Sequence, residues 1–195
     1  MVNTYFRLSE RKVLIETADI RLVSPNYATK NIETLSLPAE VQSAFDLDWD
    51  AVVFDVGGDW AGATALGRYK ADFDAFQGEL EVLNVINVRR PMSGTPEKIV
   101  SLMKEIEEKS RLKITGLVNN SNLAHLTSAF ELQDGYEIIK SVSRSTGVPV
   151  RFTTGKPKAL NDFLSGDLDA EFVGEPLGIK IYMHRDWDSY TKFGV

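Results

Sequence analysis

The fold is first indicated by an apolar run that ends in an aspartate and two glycines, Val52-Val53-Phe54-Asp55-Val56-Gly57-Gly58-Asp59-Trp60-Ala61-Gly62. Residues 51–54 include no polar side chain, which is typical of a strand in a parallel sheet covered by helices on both faces. Asp55 follows directly, and Gly58 comes three residues later. We therefore predict a buried strand over 51–54 whose end presents the Asp55 carboxylate.

Short apolar runs and helical patterns alternate along the rest of the chain. Further strands are predicted at 20–23, 80–88, 113–118 and 148–152, with an alternating edge strand at 179–183. Helices are predicted over 38–45, from Pro96 behind the capping residue Thr95, and up to Gly147. This alternation predicts one α/β domain over 1–195, with helices in layers around a mostly parallel sheet. The segment after about residue 155 has no assigned role.

Composition excludes several kinds of site. The 195 residues include no cysteine and two histidines, so disulfide scaffolds, thiolate metal sites and multi-histidine centres are ruled out. The formal net charge of -6 makes a nucleic-acid partner improbable, because such binding needs a basic surface. Arg89 and Arg90 could supply local charge to a phosphate or a partner, or could form a solvated pair. We expect no membrane span and a cytoplasmic location, since neither a long apolar run nor a signal-peptide pattern is found.

Three polar loops follow predicted strands, at Asp55, Asn87 and Asn119. Ligands of open parallel sheets bind beyond the carboxyl ends of the strands, so these loops are the first candidates for a site. Asn119 and Asn120 could pair with a nucleotide base, because an amide both donates and accepts hydrogen bonds. The same two residues could instead form an Asx-turn that leaves the strand.

The spacing Asp55-x-x-Gly58 matches the Walker B strand and second switch of P-loop hydrolases. In those enzymes the aspartate orients magnesium, and the glycine lets a backbone N–H approach the terminal phosphate. The match gives Asp55 a metal-binding and catalytic role and Gly58 a catalytic role. A tight turn from a strand into a helix is an alternative interpretation, because the motif is short and common.

Taken together, these motifs resemble the MinD/ParA/CobQ group of P-loop ATPases, of the SIMIBI class. The resemblance is carried by residues 2–10, 54–59, 62–64, 66–69, 87, 90–92, 95–96, 110–112 and 116–120. It implies that ATP and Mg²⁺ are the cofactors and that Asn119, Asn120 and Pro149 lie at the nucleotide. It also implies a homodimer whose formation depends on nucleotide.

One element of that family is missing from the 195 residues. In the family, the loop G-x-x-x-x-G-K-[ST] precedes the segment similar to 2–10, and this sequence does not contain it. The lysine and hydroxyl that grip phosphate and magnesium are therefore lacking. The strand before that loop is central in the family's sheet, and without it backbone groups would be left unpaired. We accordingly expect a rearranged sheet, a complementing segment from another chain, or a chain shortened at its amino end.

Two other functions are alternatives to an ATP-binding protein. An interaction module that kept the fold, binds no nucleotide and serves an unknown protein partner would tolerate the missing loop. A flavodoxin-like or receiver domain fits the alternation of elements. It is disfavoured because no acidic cluster or hydroxyl-rich loop lies near the first strand.

We predict that the 195-residue chain does not hydrolyse ATP above background, because it lacks the phosphate-gripping lysine. Release of inorganic phosphate from Mg-ATP measures this. Turnover similar to that of a complete P-loop ATPase would contradict the prediction.

Overall fold

The computed structural model describes residues 11–23, 39–46 and 49–182. Contacts divide the chain into two compact units, the first of residues 1–80 and 102–113 and the second of 81–101 and 114–195. The single domain expected over 1–195 stays a prediction. Within the described ranges, no helix is both long and apolar enough to cross a bilayer.

The second unit is built on a four-stranded sheet in which every neighbouring pair is parallel. Its strands are β1 (Leu83–Ile86), β2 (Gly116–Asn119), β3 (Val150–Gly155) and β4 (Glu175–Gly178), in the order β1-β2-β3-β4. All four residues of β2 are buried, because it lies between two strands and beneath a helix. The α/β class with a parallel sheet is thus confirmed, while a P-loop type of fold stays a prediction.

Two helices pack on this sheet. The helix α6 (Ala129–Thr146) contacts β2 and β3, and α7 (Pro157–Leu164) contacts α6, β3 and β4. As predicted, α6 ends at Gly147, whose φ of 73° lies in the left-handed region that glycine adopts without strain. The core of this unit is apolar and fully enclosed, with Leu117, Leu132, Ile139 and Val142 all at 0% exposure.

The helix α5 (Pro96–Ser110) confirms the strongest local prediction. Pro96 occupies its first position, and the Lys98 amide donates to the Thr95 hydroxyl at 3.4 Å. Ile99 and Met103 are buried, as the helical spacing of apolar residues predicts. Short 3₁₀ helices at Pro91–Ser93, Ala124–Leu126 and Ala170–Phe172 complete the described connections.

The secondary-structure elements described in the first unit are helices. Its helices are α1 (Lys12–Thr17), α2 (Ser43–Asp46), α3 (Trp60–Leu66) and α4 (Lys70–Ala75), with 3₁₀ helices at Ala39–Gln42 and Gly67–Tyr69. The helix predicted over 38–45 is therefore present as a 3₁₀ turn followed by α2. Aromatic rings form the centre of this unit: Phe45 lies 5.0 Å from Phe73 and 5.6 Å from Phe54, between ring centroids.

The strands predicted at 20–23 and 51–54 are wrong. Neither segment pairs with another strand, and Ile20 is 57% exposed. Val53 is 89% exposed, so the 51–54 run is not buried on both faces. Phe54 alone turns into the aromatic centre of the first unit. An apolar run shows β propensity, but a strand also needs a neighbour for its N–H and C=O groups.

The edge strand predicted over 179–183 is displaced toward the amino terminus. The structure has β4 at Glu175–Gly178, and 179–182 form no strand. The Ile179 amide still donates to the Gly155 carbonyl at 2.9 Å, which extends the pairing by one bond. Met183 and His184 lie outside the described residues.

We predict that Ile139→Ala lowers the free energy of unfolding by about 2–5 kcal/mol, because it empties a fully enclosed position on α6. Chemical denaturation followed by circular dichroism measures the loss. Ile138→Ala is the matched control, since Ile138 is its half-buried neighbour on the same helix. Equal losses in the two variants would contradict the placement of the core.

Candidate functional site

The carboxyl ends of β1, β2 and β3 meet at one edge of the sheet, and polar side chains gather there. Asn87 follows β1, Asn119 ends β2 with Asn120 directly after it, and Thr154 lies near the end of β3. The strands are parallel, and Asn119 is paired in register with both Ile86 and Thr153. This edge is the place where a parallel sheet binds ligands, so it forms the candidate site.

The Asn119 side chain forms its hydrogen bonds within the protein. Its side chain is enclosed, at 1% exposure, and its Nδ2 donates to the Leu132 carbonyl of α6 at 3.0 Å. Its Oδ1 accepts from the Ser121 amide at 3.2 Å, which closes an Asx-turn. Of the two interpretations that the sequence leaves open, the turn is the one found at this residue. Because the Asn119 side chain is enclosed and bonded at both ends, a base cannot reach it.

Gly135 of α6 makes this close packing possible. A Cβ atom at that position would lie 2.4 Å from Asn119 Oδ1 and 2.2 Å from Ser121 Oγ, far inside contact distance. Only a residue without a side chain lets α6 approach the end of β2 so closely.

Asn120 is placed differently. Its backbone N–H donates to the Ile86 carbonyl at 2.8 Å, and its Oδ1 accepts from the Thr154 hydroxyl at 2.7 Å. These bonds hold the half-buried side chain between β1 and β3. No described residue accepts a hydrogen bond from its Nδ2. Asn120 therefore presents an oriented amide with a donor group still available.

Asn87 braces the loops after β1 and β2. Its Nδ2 donates to the Asn122 carbonyl at 3.1 Å, and its Oδ1 accepts from the Asn122 amide at 3.2 Å. The Ser93 hydroxyl donates to the Asn87 carbonyl at 2.7 Å. Asn87 therefore ties the loop after β1 to the loop after β2.

Arg89 is not a solvated residue. Its guanidinium lies 3.1 Å from the Asp134 carboxylate, 3.7 Å from that of Glu131, and 5.5 Å from the centre of the Phe130 ring. Its Nε and Nη2 are buried and make no hydrogen bond. Arg89 thus ties the loop after β1 to the first turns of α6, whereas Arg90 is exposed.

Glu131 forms a capping box with Ser128 at the start of α6. Both the amide and the hydroxyl of Ser128 donate to Glu131 Oε2, at 2.8 Å and 2.7 Å. The bond from the hydroxyl, followed by the bond from the amide, lowers the pKa of Glu131 below its usual value. Desolvation opposes this shift, and the charge of Arg89 adds to it.

Lys156 supplies positive charge beside the end of β3. Its ammonium group donates to the His125 carbonyl at 2.7 Å, which joins the loop after β2 to the start of α7. Thr154 and Lys156 were missed by sequence reasoning because the predicted strand ended at 152. The signal was the Thr153-Thr154-Gly155-Lys156 run, which extends the strand and ends it in a glycine and a base.

Pro149 lies away from the two asparagines. It precedes β3, and its carbonyl accepts from the Leu117 amide at 2.9 Å. Thr153, the partner of Asn119, is four positions further along the chain, a distance of about 13 Å along a strand. The structure therefore does not bring Pro149 together with Asn119 and Asn120.

Asp55 and Gly58 belong to the first unit, whereas Asn119, Asn120 and Pro149 belong to the second. Asp55 is exposed in a segment without strand pairing, so it lacks the rigid strand end that a magnesium-orienting aspartate needs. The residues that follow form a tight turn into a helix, in line with the alternative interpretation of the motif. Asp59 caps α3 by accepting from the Gly62 amide at 2.9 Å, and an added Cβ at Gly62 would lie 2.3 Å from the Gly57 carbonyl oxygen.

In the part of the chain that the structure describes, no three His, Cys, Asp or Glu residues are grouped so as to hold a metal ion. Comparisons with protein-family models, curated proteins and solved structures find no match to this chain. The family resemblance therefore rests on the motifs alone.

We predict that Glu131→Gln lowers the free energy of unfolding by roughly 0.5–1 kcal/mol at pH 7, because the capping carboxylate is replaced by a neutral amide. The folded-state pKa of Glu131 is depressed, so its stabilisation is complete above the ordinary glutamate value of about 4.3 and disappears as the pH falls through the folded value. Denaturation midpoints from pH 7 to pH 3 measure this.

The difference between wild type and Glu131→Gln should shrink toward zero at the acid end. Glu137→Gln is the control, since Glu137 is exposed on the same helix. A difference that is independent of pH would contradict the role of the ionised carboxylate.

Proposed function

We propose that the chain binds an adenine nucleotide at the carboxyl edge of its sheet, with Asn120 recognising the base. The observation that supports this most is the Asn120 amide, held by Thr154 at 2.7 Å with its Nδ2 donor available. The resemblance to MinD/ParA/CobQ ATPases points to the same pair of residues. Asn120 is the one proposed here, because the Asn119 amide is enclosed and bonds to Leu132 and Ser121.

The chemistry of an oriented amide suits this role. Nδ2 can donate to a ring nitrogen of the base, while Oδ1 has a second lone pair and can accept from an exocyclic amine. Thr154 fixes which way the amide faces, so little rotational entropy is lost on binding. The ammonium of Lys156 lies at the end of β3, on the same edge, and can supply charge to a phosphate.

Hydrolysis is not part of the proposal. The 195 residues contain no G-x-x-x-x-G-K-[ST] loop, and Asp55 lies in an exposed segment without a rigid setting for magnesium. The residues present therefore fit the base of ATP but not Mg²⁺. A nucleotide held here would act as a bound ligand rather than as a substrate.

An interaction module that binds no nucleotide is the second candidate. It is favoured by the enclosed Asn119 amide, because this residue of the asparagine pair bonds within the protein and cannot reach a nucleotide. Thermal melts with and without Mg-ATP separate the two functions. Nucleotide binding to the folded state raises the melting temperature, and a module without a nucleotide site shows no shift.

We predict that Asn120→Ala weakens ATP binding by roughly five- to tenfold, because a hydrogen-bonded amide contributes about 1–1.5 kcal/mol. Isothermal titration calorimetry with ATP and ADP measures this. Asn161→Ala is the matched control, since Asn161 is an exposed asparagine on α7. An unchanged affinity in a folded Asn120→Ala variant, or no affinity in the wild type, would contradict the proposal.

A further inference from the structure

In the part of the chain that the structure describes, the outer edge of β1 is open. The sheet order places β1 at one end, with β2 as its single neighbour. The Val82 and Ile86 carbonyls accept bonds from the β2 side, so the residues of opposite parity, Leu83 and Val85, direct their backbone groups away from β2. Neither makes a further backbone bond to any described residue.

The side chains at this edge are apolar and uncovered. Val85 is 60% exposed and Leu83 is 37% exposed, although both lie within a strand. Proteins usually protect a free edge with a lysine, a proline or a bulge within the strand, and the four residues of β1 provide none of these. This combination of open backbone and exposed apolar side chains is a surface suited to the addition of a strand.

The charges that flank β1 determine which strand fits. Glu79 precedes it and Arg90 follows it, and both are exposed, so one end carries an acidic side chain and the other a basic one. Glu81 and Arg89 are already paired within the chain, with Arg151 and Asp134. A second copy running antiparallel would place the acidic end of each strand beside the basic end of the other. A parallel copy would set like charges together, which is destabilising.

We propose that two copies of this chain pair through β1 in an antiparallel arrangement, forming one continuous sheet across a two-fold axis. Pairing Leu83 of each copy with Val85 of the other satisfies the open N–H and C=O groups of both residues in both copies. The two Asn84 side chains then face each other at the axis. This pairing needs no nucleotide, so it is independent of the function proposed above.

Sedimentation velocity of the full chain without nucleotide, over a range of concentrations, tests the proposal. We expect a concentration-dependent dimer whose dissociation constant rises by about tenfold or more in Val85→Lys, because each lysine would set a charged side chain opposite Leu83 of the other copy. Ser141→Lys is the control, since Ser141 is exposed on α6. A monomer at every concentration, or a dimer that Val85→Lys leaves intact, overturns the proposal.

A charge-reversal cycle distinguishes this seam from any other dimer contact. Glu79→Lys and Arg90→Glu should each weaken the dimer by roughly two- to fivefold, and the double variant should recover most of the loss. Additive losses in the double variant overturn the antiparallel pairing. Hydrogen exchange gives a second readout, because the amides of Leu83 and Val85 should become protected as dimer forms. Protection that is independent of concentration also overturns it.

Discussion

The carboxyl edge of the sheet depends on the buried amide of Asn119. This side chain joins the end of β2 to the Leu132 carbonyl of α6 and to the next turn of the loop. A buried amide left without partners costs about 1–3 kcal/mol, so the two bonds hold both elements in one arrangement. Gly135 is needed at the contact, because any Cβ there would overlap the amide. The position of Asn120, and with it the candidate site, follows from this contact.

A second constraint is the need of every strand for neighbours. β2 has a partner on each side, is buried throughout, and lies at the centre of the order β1-β2-β3-β4. β1 has one partner and exposes Val85. The run at 51–54 has none and exposes Val53. Three apolar segments of similar composition therefore have three different environments, and the number of paired edges accounts for the difference.

The candidate site could be predicted only in part from the sequence. Asn119 and Asn120 were located because polar residues after an apolar strand mark the binding edge of a parallel sheet. Their separate roles were not accessible, because they depend on Leu132 and Thr154, which are 13 and 34 residues away along the chain. Pro149 was grouped with them, yet the parallel register sets it at the other end of β3. For Arg89 the sequence left open a charge for a phosphate or partner and a solvated pair, because its actual partners Glu131 and Asp134 lie on a helix that begins 40 residues later.

The sequence by itself determined the start of one helix and the end of another. Thr95 and Pro96 start α5 and Gly147 ends α6, because capping bonds and the left-handed turn join residues within a few positions of each other. Only the tertiary structure decided which apolar runs became strands and which asparagine kept a free donor. Backbone pairing and burial depend on groups that are distant in sequence, so an apolar run such as 51–54 has the composition of a strand without its neighbours.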